Sequence, residues 1–184
     1  MDVFRELELM QERINQGDWN AFAAHYISLA DAADPSVARR IATIEMEYYE
    51  DRLFSAYCEA LKEARRTAAK AVYFEYDLDN GWHAWFFVCP EYRRLEEQDD
   101  DWACSWASDH QAPSNPEFAE IYGATEKFCE TDRATAITLA LIARTIISLN
   151  SVVERERPGE IVVCIGFHDQ DPVHRLSQPN IGVS

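Results

Sequence analysis

The spacing of apolar residues changes at residue 71, and that change limits the folds open to the chain. Before it, apolar side chains recur at threes and fours. Val3, Phe4, Leu7, Met10 and Ile14 define a helix over 2–15. Gly17 ends it, and Asp18 caps a second helix over 19–32 with Trp19, Phe22, Tyr26 and Leu29 on one stripe. Asp34-Pro35 opens a third helix that runs to about Ala69, with a bend or break expected around the polar Glu50-Asp51. From residue 71 the period becomes two. Val72, Phe74, Tyr76 and Leu78 alternate with Tyr73, Glu75 and Asp77, as in a strand.

Asn80-Gly81 is a strong hairpin signal, and residues 82–89 form the return strand, closed by Pro90. With Asn80 and Gly81 as the two central turn residues, Val72, Phe74, Tyr76 and Leu78 share a face with Cys89, Phe87, Trp85 and His83. That face is expected in the core. Tyr73, Glu75 and Asp77 then share the other, mixed face with Val88, Phe86 and Ala84. Residues 91–101 read as a charged connection and 102–107 as a third short strand. Asn115-Pro116 starts a helix that Gly123 stops, and Thr131 caps a strongly apolar helix over 132–153. Residues 161–167 suit a strand buried on both faces.

The expected class is therefore α+β: N-terminal helices, then a small, mainly antiparallel sheet packed on a buried helix. The sheet consists of a three-strand meander plus a C-terminal strand. The length suits a single domain over 1–184, with a helical part over 1–70 and a sheet-containing part over 71–168. A tail over 169–184 is expected to trail across the surface. Arg144 interrupts the most apolar stretch, which argues for a buried helix rather than a membrane span. A carboxylate such as Glu75 or Asp77 is its expected partner.

Charge is concentrated in the middle third. Residues 71–130 hold fourteen Asp and Glu against three Lys and Arg, and so carry most of the chain's net charge of −16. They also hold Trp82, Trp85, Trp102 and Trp106. Such a field repels nucleic acid and anionic membrane surfaces and attracts basic proteins or other cations. The run Glu96, Glu97, Asp99, Asp100 and Asp101 would steer a basic partner. Trp102, Trp106 and Tyr73 would anchor it if exposed. The bland alternative for the run is a solvated loop. Most of the five cysteines sit in apolar settings without a CxxC, and Met1 leads into Asp2-Val3-Phe4-Arg5-Glu6 with no apolar signal core. Both features suit a reducing cytoplasm.

Signatures of catalysis are sparse. The sequence has no G-x-S-x-G, H-E-x-x-H, P-loop or G-x-G-x-x-G, and no cofactor is expected. Glu75 and Asp77, on the mixed hairpin face with Tyr73, are the one carboxylate pair that could serve a hydrolase or a carbohydrate-active enzyme. Cross-strand packing with polar edges is the better account of them. His168, Asp169, Asp171 and His174 offer four potential ligands in seven residues. Their spacing matches no established metal motif and fits a polar loop after a strand.

Tyr73-Phe74-Glu75-Tyr76-Asp77, Asn80-Gly81-Trp82 and Asp100-Asp101-Trp102 are set behind a helical N-terminal part in an acidic chain without a catalytic motif. In this style the chain resembles the bacterial immunity proteins of polymorphic-toxin and contact-dependent inhibition systems. The resemblance implies a non-enzymatic protein that binds and blocks a cognate cationic toxin, often a nuclease. It assigns no individual site residue. A hydrolase and a self-associating structural domain are the two alternatives.

Overall fold

Asp2 accepts the backbone N–H of Arg5 and starts α1 (Val3–Gln16), which Gly17 ends in the left-handed region at φ 71°. Asp18 caps α2 (Trp19–Ala33) through the N–H of Ala21. Asp34 accepts from Ser36 and Val37 ahead of Pro35 to start α3 (Pro35–Thr43). The expected long third helix is two helices. It breaks at Ile44, whose backbone is extended, and resumes as α4 (Glu47–Thr67). The break falls before Glu50-Asp51 because Arg144 donates to the Ile44 carbonyl at 2.6 Å. Arg144 therefore meets a helix end through Nη2, and not Glu75 or Asp77. Burial pulls its pKa down and the neighbouring Glu50 opposes that.

The computed structural model describes residues 1–177, over which the protein is α+β, with six helices and a five-stranded mixed sheet. The other elements are β1 (Ala71–Asp77), β2 (His83–Cys89), β3 (Ser108–Ala112), α5 (Pro116–Gly123), α6 (Asp132–Arg155), β4 (Val162–Phe167) and β5 (His174–Ser177). Their order in the sheet is β3-β2-β1-β4-β5. The β1–β4 pair is parallel and the other three pairs are antiparallel. One face of the sheet carries α4, which also packs on α6. The helices α2, α3 and α5 surround α6, and α1 lies along β5. By length and composition α6 could cross a membrane, but most of it is buried within the fold.

The hairpin register differs from the expected one by one residue. Val72, Phe74 and Tyr76 lie opposite Val88, Phe86 and Ala84, and these six side chains form the helix-side core. Trp85 and Phe87 therefore turn to the outer face beside Glu75 and Tyr73, because one step along a strand reverses every side chain. The cause is the connection. It uses residues 78–82, with Trp82 itself at φ 55°. Asp77 Oδ1 accepts the N–H groups of Asp79 and Asn80, both at 3.0 Å. The Trp82 ring is fully buried, stacked on Tyr76 at 5.5 Å, and its Nε1 donates to Thr145 Oγ1 at 3.1 Å. Placing that indole in the core decides the turn.

Two further expectations are corrected. Trp102 does not lie in a strand: residues Asp101–Cys104 form a 3-10 turn, and β3 begins six residues after Trp102. Nor does the chain after 168 simply trail. β5 pairs antiparallel with β4, while residues 178–184 of the expected tail lie outside the described residues. The outer edge of β5 is closed by Gln11 of α1. Its Oε1 accepts Arg175 N–H at 2.7 Å, and its Nε2 donates to Arg175 O at 3.1 Å.

Candidate functional site

The outer face of the sheet is covered over one half only. On the covered half, Ala71, Tyr73, Cys89, Val162 and Cys164 pack under Trp102, Ala103 and Val173, with Tyr92 at the margin. This small second core is pinned by one ion pair. The Arg175 side chain is fully buried and forks onto Asp100, with Nη1 at 3.2 Å from Oδ2 and Nη2 in contact with Oδ1. The guanidinium also donates to the carbonyls of Val173 and Arg93. It lies 5.6 Å from the Trp102 ring centroid and 5.9 Å from that of Tyr92. Asp100 in turn accepts Val173 N–H at 2.7 Å and the Trp102 indole N–H at 3.3 Å. Burial pushes the Asp100 pKa up, but the Arg175 fork and these N–H donors outweigh it and hold it below the usual carboxylate range.

The other half of the outer face is open. His83, Trp85 and Phe87 follow one another along β2, with His83 against Trp85 at 6.3 Å. Trp106 extends the row by packing on Phe87 at 4.6 Å, and it remains 46% exposed. A cleft of about 670 Å³ follows the border of the covered half, from Trp106 and Tyr73 past Glu75 to His168 and Asp171; of the aromatic row, only Trp106 lines it. Asp99, Asp100, Asp101, Asp169 and Asp171 line it as well. His168 Nδ1 lies 3.2 Å from Glu75 Oε1, and that hydrogen bond raises the imidazole pKa. Burial, aided by Glu75, holds the Tyr73 hydroxyl pKa well above its ordinary value.

The residues singled out from the sequence thus have different fates. Asp99 and Asp101 are exposed on the cleft, and Asp100 is committed to Arg175. Glu96 and Glu97 are exposed on a neighbouring 3-10 turn outside the cleft lining, where Glu97 accepts Arg94 N–H at 2.7 Å. The condition of exposure holds for Trp106 but not for Trp102 or Tyr73, which are 3% and 4% exposed. Glu75 and Asp77 do share the outer face, but Asp77 is engaged in the hairpin turn and only Glu75 reaches the cleft.

The four residues weighed as metal ligands separate. His168, Asp169 and Asp171 line the cleft. His174 points into the helix-side interior, where its Nε2 lies 3.0 Å from Leu7 O and its Nδ1 3.3 Å from Gln170 Nε2. Among the described residues no group of three or more His, Cys, Asp or Glu could hold a metal ion.

Sequence reasoning missed Trp85 and Phe87 as outer-face residues, and it weighed His168, Asp169 and Asp171 only as metal ligands or a polar loop. Their position after a central parallel strand, beside Glu75 of its neighbour, was the available signal. Comparison of the chain with family models, with curated proteins and with solved structures gave no match.

Proposed function

We propose that the protein is a non-enzymatic binding protein that captures a cationic protein partner on the open half of its outer sheet face. On this reading it acts as an immunity protein that neutralises a basic toxin in the cytoplasm. The carrying observation is the cleft, where an exposed tryptophan on an aromatic row is bordered by carboxylates, of which Asp101 and Asp171 have no ion-pair partner among the described residues. Carboxylates supply long-range attraction and orientation, while the rings supply apolar area that is desolvated on contact. The two together suit a basic partner that must be bound fast and held.

The test is co-purification with the product of an adjacent toxin-like reading frame, followed by association kinetics at low and high salt. Replacing Asp99, Asp101, Asp169 and Asp171 together by Asn is expected to slow association by about tenfold or more and to flatten its salt dependence. Binding that is indifferent to both salt and these substitutions, or no binding at all, refutes the reading.

A further inference from the structure

The fold already contains one solution to holding a cation on this sheet face. On the covered half, the Arg175 guanidinium lies near the Trp102 and Tyr92 rings and forks onto a single carboxylate, Asp100. The open half holds the same components, with Asp101 and Asp171 free of any ion pair among the described residues and Asp99 met by Arg93 Nε only at 3.8 Å. Trp106 packs on Phe87 and lines the cleft, and Asp99 and Asp101 flank Asp100 in the chain. Glu75, Asp169 and Asp171 complete the lining. The one basic side chain among the lining residues is His168, which Glu75 engages.

We infer that the open half of this face receives the guanidinium of an arginine on a loop of the cationic partner, set against Trp106 and bonded by the Asp99 and Asp101 side of the cleft. The inference rests on the function proposed above and names the chemistry that the face selects. Three features favour guanidinium over ammonium. The group is planar, so it lies along an indole face while presenting donors at its edge. It is more weakly hydrated than ammonium, so leaving water for a half-exposed ring costs less. Carboxylates at the rim accept its parallel N–H pairs in the two-pronged geometry already seen at Asp100. The cleft is open and far larger than one side chain, which suits a loop that brings its own backbone.

Two short blocked peptides, one with two arginines and one with two lysines, are titrated into the isotope-labelled full chain at low ionic strength. Indole and backbone NMR signals report binding. The arginine peptide is expected to bind about three- to fivefold more tightly and to shift the Trp106 indole. Trp106→Ala should erase that preference while leaving weak binding of both peptides. Trp106 is 46% exposed and packs on Phe87 at the surface, so the variant should still melt cooperatively, with only a modest fall in its midpoint. Asp101→Asn should weaken both peptides. Equal, salt-sensitive binding of the two peptides, or a preference that survives Trp106→Ala, overturns the guanidinium assignment and leaves the charge-driven reading standing. No binding of either peptide overturns both.

Discussion

Replacing Asp99, Asp100 and Asp101 by asparagine, one at a time, separates three carboxylates that follow one another in the chain. Asp100→Asn preserves volume but removes the charge facing Arg175, whose side chain has no solvent exposure, while Asp100 itself is 17% exposed. Breaking a buried pair from one side costs roughly 3–5 kcal/mol, because the remaining charge stays buried without compensation. Partial access to water at Asp100 places the expected loss at the low end, about 3 kcal/mol. With a urea slope of about 2 kcal/mol/M, the unfolding midpoint should fall by about 1.5 M. Asp99→Asn and Asp101→Asn alter exposed groups and should stay within about 0.5 kcal/mol of wild type. Adding Arg175→Met to Asp100→Asn should recover much of the loss, since an apolar stem replaces an unpaired charge. Urea melts of all four variants decide the matter. If Asp100→Asn lowers the midpoint no more than Asp101→Asn does, the account of the second core is wrong.

Two further outcomes follow from β5. His174 is fully buried against Leu7 O, and burial holds its pKa at about 4 against 6.5 for a free imidazole, with Arg175 lowering and Asp100 raising it. The unfolded chain therefore takes up a proton that the folded chain refuses. The stability from this site is complete above pH 6.5 and is lost as pH falls toward 4, by about 3 kcal/mol. Urea midpoints measured across that window should fall steeply for the wild type and less for His174→Gln. Separately, Gln11→Ala leaves the N–H and C=O of Arg175 without their partner. A cost of about 1–3 kcal/mol is expected, together with faster hydrogen exchange at the Arg175 amide.

What the sequence made legible is what depends on near neighbours. The helix starts at Asp2, Asp18, Asp34, Asn115 and Thr131 use side chains that cap residues two or three positions on, so each could be read from the chain itself. The same holds for the period-two pattern of β1 and the apolar run of β4. The register of the hairpin was not legible, because it depends on where the Trp82 indole goes, and that is set by Thr145 on α6. Asp100 cannot be told from Asp99 or Asp101 without Arg175, which lies 75 positions away. For the same reason β5 was hidden. His174 and Arg175 give no apolar alternation, and their places are fixed by Gln11, Leu7 and Asp100. In the candidate site, charge and aromatic content were visible from the start, but which rings face outward was decided by a single step of register.

The parallel pairing of β1 with β4 has a consequence during synthesis. Roughly 85 residues separate the two strands, which at about 5–20 residues per second is a delay of about 4–17 s. Through that interval the strand that pairs with the second side of β1 does not yet exist, and an unpaired edge is a template for a second nascent chain. The next stretch to emerge, residues 91–101, carries Glu91, Glu96, Glu97, Asp99, Asp100 and Asp101. Neighbouring nascent chains at the same stage would therefore repel one another across the very strand that is waiting for its partner.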